Sequence, residues 1–181
     1  ITENKVYIID FDIKQTNIVG LSKDTKGYDA TSTPMVQLFN SYFGAGPGSI
    51  VFQEIREARS MAYAASSTYR MPVNQNDSYY NVVYVGTQAD KVCNALDAFN
   101  NLLMKMPKSE KSFEMAKSSI IQRMPSERVV KTALFYNYEN AKRLGLNYDI
   151  RREVYERVPL FTLADLEQFH KTHIQAKPQI I

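Results

Sequence analysis

The stretch that most constrains this chain runs from Tyr42 to Arg70, YFGAGPGSIVFQEIREARSMAYAASSTYR. It reads as the end of one helix, a tight glycine loop, a second helix and then a strand. Gly44, Gly46 and Gly48 alternate in the loop, which calls for positive φ or very close backbone packing there. Ser49 suits the N-cap of a helix over residues 50–59, whose apolar stripe is Ile50, Val51, Ile55 and Ala58. The period then changes from helical to alternating. Tyr63, Ala65, Ser67 and Tyr69 share one face of a strand, and Ala62, Ala64, Ser66 and Thr68 share the other. One guanidinium late in the helix, Arg56, and one phenol early in the strand, Tyr63, flank the turn between them. The loop GAGPGS invites a phosphate-cradle reading, but it lacks the Gly-Lys-[Ser/Thr] ending of a P-loop and joins two helices where a strand should come first. Packing is the better account of it.

At 181 residues the chain fits one domain of ordinary size, long enough to bury a real core. Lys5–Phe11 and Asn17–Leu21 read as strands, joined by the polar Asp12-Ile13-Lys14-Gln15, and Ser22–Ser32 reads as a loop. Thr33-Pro34 opens a helix with Met35, Leu38, Phe39 and Tyr42 as its buried stripe and Gly44 as its stop. Beyond the central stretch, Met71–Asp77 is a loop and Tyr79–Gly86 a strand antiparallel to Ala62–Tyr69. Helices follow over Ala89–Lys105, with Val92, Ala95, Leu96, Phe99 and Leu103 inward, and from Ser109 to Arg123. Pro125-Ser126 marks another start, with Val129, Val130, Ala133, Leu134, Tyr138 and Ala141 running helically to Gly145. Asp149–Arg157 is a short helical piece, Thr162 to Asp165 a capping box opening a last helix to His173, and Lys177–Ile181 the first residues of a truncated strand. Segregated strands and helices predict one α+β domain, residues 1–181, with helices on one face of a largely antiparallel sheet. The chain opens on Ile rather than Met, so the expectation is an excised fragment whose targeting segment, if any, lies elsewhere.

Composition narrows the chemistry. A net charge of +3 with Lys and Arg dispersed gives no basic tract for phosphate backbones, which argues against nucleic acid. The tyrosine-rich strands therefore read as half-buried sheet rather than a base-stacking platform. The single Cys93 excludes an internal disulfide and, beside Val92 and Leu96, reads as a small core residue. His170 and His173 stand one helical turn apart with Glu167 the one nearby carboxylate, but on a polar terminal helix solvated histidines are the expected reading. No serine triad can be assembled from two terminal histidines. Arg56 and Tyr63 can each donate to a peptide carbonyl or a developing oxyanion. Their bland alternative is a surface Arg paired with Glu54 or Glu57 and an ordinary strand Tyr.

The segment FNSYFGAGPGSIVFQEIREARSMAY resembles the pitrilysin/insulinase family of zinc metallopeptidases, the inverzincins. The positions that carry the resemblance are Asn40, Phe43, Gly44, Ser49, Val51, Phe52, Ile55, Arg56, Glu57 and Tyr63. The opening KVYIIDFDIKQTNIVG looks like the family's first hairpin, with Gln15 and Ile18 in place, and PKSEKSFEMAKSSI looks like its helix with an acidic residue followed by Ala-Lys. Ser60-Met61 departs from the Gly-Leu of many members but leaves Arg56 and Tyr63 in register.

The resemblance implies two homologous α+β halves of the processing-peptidase type enclosing a peptide. One carries H-x-x-E-H, whose histidines bind zinc and whose Glu is the general base. That motif is absent and no His precedes His170, so the likeness is to the C-terminal, non-catalytic half, with no catalytic or metal-ligating residue of its own. By resemblance, Arg56 and Tyr63, separated by six residues, bind the substrate opposite a zinc-bearing half in the same polypeptide or a partner subunit. The resemblance also leaves room for a catalytically dead scaffold subunit like the respiratory core proteins, and a plain peptide-binding module is a further alternative. Bacterial periplasm and cytoplasm are both open.

Overall fold

The computed structural model describes residues 1–10, 12, 14–44, 46–57 and 62–181. The expectations on Phe11, Ile13, Ala45, Ala58, Arg59, Ser60 and Met61 lie outside the described residues. Three antiparallel strands, β1 (Gln15–Gly27), β2 (Ala64–Arg70) and β3 (Ser78–Gln88), form a sheet in the order β1-β3-β2. Among the described residues six α-helices accompany it: α1 (Thr33–Phe39), α2 (Val92–Met104), α3 (Glu110–Ser126), α4 (Lys131–Arg143), α5 (Arg151–Arg157) and α6 (Leu163–His173). Two segments, Asn40–Gly44 and Phe52–Glu57, are wound as π-helix. The α+β class holds.

Register explains which face is covered. Ile18, Val85 and Ala65 form one cross-strand row, Gly20, Val83 and Ser67 the next, and Ser22, Asn81 and Tyr69 a third, all facing the helices. Val19 and Leu21 point the other way and are exposed. Against the inward face pack Val36, Leu38, Phe39, Tyr42 and Phe43 from α1 and the π-turn after it, and Phe99, Phe113, Leu166 and Phe169 from α2, α3 and α6. Capping follows side-chain chemistry. Ser109 accepts from the Ser112 N–H at the start of α3, and Thr162 and Asp165 bond reciprocally as the capping box. Asp29 caps a short 3₁₀ turn that delivers the chain into α1, so α1 begins at Thr33 rather than being capped by it.

Several expectations change. Ser22–Gly27 belongs to β1, because Ser22 and Asp24 occupy its inward positions where apolar residues would have signalled a strand. The segment Lys5–Asp10 does not form a hairpin with β1. Instead Ile180 lies between them, exchanging hydrogen bonds with Leu21 (2.8 and 2.9 Å), while Gln179 and Ile181 bond Lys5 and Tyr7 at 2.7–2.9 Å. Lys177–Ile181 is therefore strand-like, as expected, and Val6, Tyr7, Ile8 and Ile9 stay exposed. Pro125 and Ser126 end α3 rather than open the next helix. Cys93 is exposed, on the outer side of α2, and not a core residue.

The last helix departs furthest from its solvated reading. His170 is 2% exposed, its ring 5.4 Å from that of Phe43 and 6.2 Å from that of Phe39. Its Nε2 has no hydrogen-bond partner, and burial, opposed by a hydrogen bond with the Leu102 backbone, pushes the imidazole down to about 4. His173 Nδ1 lies 2.6 Å from Asp24 Oδ2, to which the Tyr69 hydroxyl also donates at 2.7 Å. Burial would raise the Asp24 carboxyl, but bonds from Tyr69, His173 and the Lys26 N–H, with the Lys177 charge, bring it down to about 2. The same pair pushes the Tyr69 phenol far up, burial first and the hydrogen bond to Asp24 second.

Both groups make the fold acid-sensitive. Unfolded His170 takes a proton below its ordinary value near 6.5 while the folded ring stays neutral to about 4, so its share of stability is complete above that window and falls through it. A shift of this size corresponds to about 3 kcal/mol. Asp24 adds a second loss as pH falls from its ordinary value toward 2. Urea titrations should show stability dropping between pH 7 and pH 4, and His170→Gln should flatten that limb. An unchanged slope in the variant would contradict the assignment.

Candidate functional site

Arg56 lies in the last turn of the second π-helix, and Tyr63 lies just before β2. Ser49 opens this helix: its hydroxyl donates to the Gly46 carbonyl (2.8 Å) and accepts from the Phe52 N–H (3.4 Å). Ile50, Val51 and Ile55 bury one side of it, and the helix packs against β2 and α2. Arg56 falls on the opposite, exposed side, with its guanidinium carbon 4.8 Å from the centre of the Phe52 ring. That distance is in the cation–π range, so the Phe52 ring is one of the contacts of the guanidinium.

Tyr63 lies just before β2. Its N–H donates to the Gly86 carbonyl at 2.8 Å, anchoring its backbone to β3. It has the sequence parity of Ala65, Ser67 and Tyr69, yet it is 55% exposed. The sequence-predicted pair therefore comprises two exposed donors on elements that pack together. Both can present N–H or O–H groups to an oxygen on a bound chain.

The elements behind the pair are held by the glycine loop and the helix before it. Gly44 meets the β2 backbone so closely that a Cβ built there would stand 1.6 Å from the Ser67 carbonyl oxygen. Gly46 has φ +93°, the left-handed region that glycine tolerates. One turn before Gly44, the Asn40 side chain donates to the Tyr69 carbonyl at 2.9 Å and accepts from the Tyr69 N–H at 2.8 Å. Close packing and positive φ thus each account for one glycine of the loop. The role of Asn40 and the Asp24–Tyr69–His173 cluster were not read from the sequence. The signal for Asp24 was its inward parity in continuation of Ile18, Gly20 and Ser22.

The histidines do not fit a metal. His170 is enclosed by aromatic rings and His173 is engaged with Asp24. Among the described residues no group of three or more His, Cys, Asp and Glu could hold an ion, and no helix is long and apolar enough to cross a membrane.

The model of the peptidase M16 inactive domain matches residues 1–120. No curated protein matches the sequence. Among solved structures, a peptidase M16 inactive domain from Pseudomonas fluorescens superposes with TM-score 0.79 at 16% identity, covering 98% of this chain and 42% of that one. An inactive peptidase domain from Bordetella parapertussis gives 0.71 at 12%, covering 92% of each. A chain of complex III2 from Candida albicans gives 0.67 at 12%, covering 98% and 43%. The chain thus spans under half the length of two of these three. With the family model matching two thirds of it and the α+β fold shared throughout, the chain belongs to the peptidase M16 family, as its inactive domain.

Proposed function

We propose that this chain is the substrate-holding half of a two-half zinc metalloendopeptidase, completed by a homologous half that bears H-x-x-E-H. The observation that carries the reading is the exposed Arg56 at the end of the π-helix and the exposed Tyr63 just before β2, within an inactive-domain match. Zinc, held in the other half, would supply Lewis-acid activation of a water. This chain's part is positional and electrostatic. Arg56 and Tyr63 donate to a carbonyl oxygen of the bound peptide and hold it as negative charge develops. Assembled with the zinc-bearing half, the protein should hydrolyse peptides in a chelator-sensitive manner, whereas this chain alone should not. Reproducible chelator-sensitive hydrolysis by the isolated chain would contradict the proposal.

A second reading, a scaffold subunit that keeps the fold without catalysis, is favoured by the likeness to the Candida albicans complex III2 chain. The partner half discriminates between them. An intact H-x-x-E-H there supports the peptidase, and a degenerate one supports the scaffold.

A further inference from the structure

Helix α4 exposes its large apolar side chains, and only Ala133, Glu139 and Ala141 are half-buried. None of its residues is buried, and Val130, Leu134, Phe135, Tyr136 and Tyr138 are each 51–66% exposed. At about 100° per residue, Ala141, Leu134, Tyr138 and Phe135 fall on one side of the axis with Lys131 and Lys142 among them, and Tyr136 points away from them. Phe135 and Tyr136 meet edge to face at 5.8 Å, leaving their outer surfaces in water. On the Leu134 and Tyr138 side, a groove of about 430 Å³ runs to the turn before α5, where Leu146, Tyr148 and Ile150 line it. A 13-residue helix has little stability in water without packing, and an apolar face of this kind marks an interaction surface.

We propose that α4 and this groove are the docking surface for the zinc-bearing half, through an apolar patch with an acidic rim on that half. The inference rests on the two-half reading above. Two observations select this occupant. First, the Pseudomonas fluorescens chain devotes only 42% of its length to the region that this fold matches, so in that relative the fold is accompanied by further protein. Second, residues 127–143 carry Arg128, Lys131, Lys142 and Arg143 against Glu127 and Glu139, four positive charges to two negative. A two-fold contact between copies would bring that excess of like charge together, whereas an acidic rim complements it.

Hydrogen exchange read by mass spectrometry tests the proposal on this chain alone and on the assembled protein. The amides of 131–143 should exchange fast in the isolated chain and at least 100-fold slower in the assembly. Equal exchange in the two would overturn the proposal. So would sedimentation of the isolated chain as a dimer that itself protects these amides, which would identify a second copy as the occupant. The double variant Phe135→Ser with Tyr138→Ser should leave the Tm of the isolated chain unchanged and weaken assembly at least tenfold; undiminished assembly would overturn the docking assignment. The two readings fail separately. Protected α4 in an assembly without peptidase activity would remove the functional reading alone, and unprotected α4 in an active enzyme would remove this one alone.

Discussion

In the proposed two-half peptidase, Arg56→Ala or Tyr63→Phe should each lower kcat by roughly 10²–10³, the loss typical of removing one oxyanion-type donor. The physical reason is that both groups would act on charge that exists only as the scissile carbonyl is attacked, so kcat should fall more than KM rises. Neither change should disturb the fold. Arg56 is exposed on its helix, and Tyr63→Phe keeps a ring that is already 55% exposed and removes one oxygen. Steady-state kinetics with a fluorogenic peptide would decide the matter, with urea titration of each variant as the control. If both variants retained wild-type rates, the site assignment would be lost. Because the two donors would serve one charge, the double variant should cost less than the product of the singles.

The second large effect is on stability. Gly44→Ala places a methyl 1.6 Å from the Ser67 oxygen and 2.7 Å from its carbonyl carbon, and both are backbone atoms without a rotamer to yield. Either the helix end or β2 must move, at a cost of at least about 3 kcal/mol, the upper range for overpacking. Gly48→Ala is the matched control, since a Cβ there meets nothing within 4 Å. Equilibrium unfolding should show a large loss for the first and almost none for the second. Equal stabilities would mean that Gly44 is not where the helix is held to the sheet.

These two sites were legible in the sequence for different reasons. Glycine spacing marked a close approach at Gly44, and the run from Asn40 to Tyr63 carried the family likeness that singled out Arg56 and Tyr63. The capping box at Thr162 was equally plain, because its signal is local. What escaped depended on distant partners. The second half of β1 looked like a loop because its inward residues are Ser22 and Asp24, and Asp24 is satisfied by Tyr69 and His173 from elements far along the chain. His170 looked solvated because α6 is largely polar, yet it lies on the same side as Phe169 and Leu166, which are buried. Cys93 failed in the opposite sense, since the covered side of α2 is that of Ala95, Phe99 and Leu102. Helix α4 shows a limit of periodicity itself: Ala133, Leu134, Tyr138 and Ala141 are helical as read, but Val129 and Val130 precede the helix, and the pattern did not say what its apolar residues would pack against.

The amide of Asn40 has one more consequence. On Tyr69 it takes both backbone groups that face away from β3, as a neighbouring strand would, and Gly44 covers the next outward carbonyl, that of Ser67. This rim of the sheet is thereby sealed against strand addition, and aggregation by sheet extension is blocked there. The same seal bears on recognition. A peptide cannot zip its main chain onto β2 at Ser67 and Tyr69, so whatever grip this half exerts near that strand has to come from side chains.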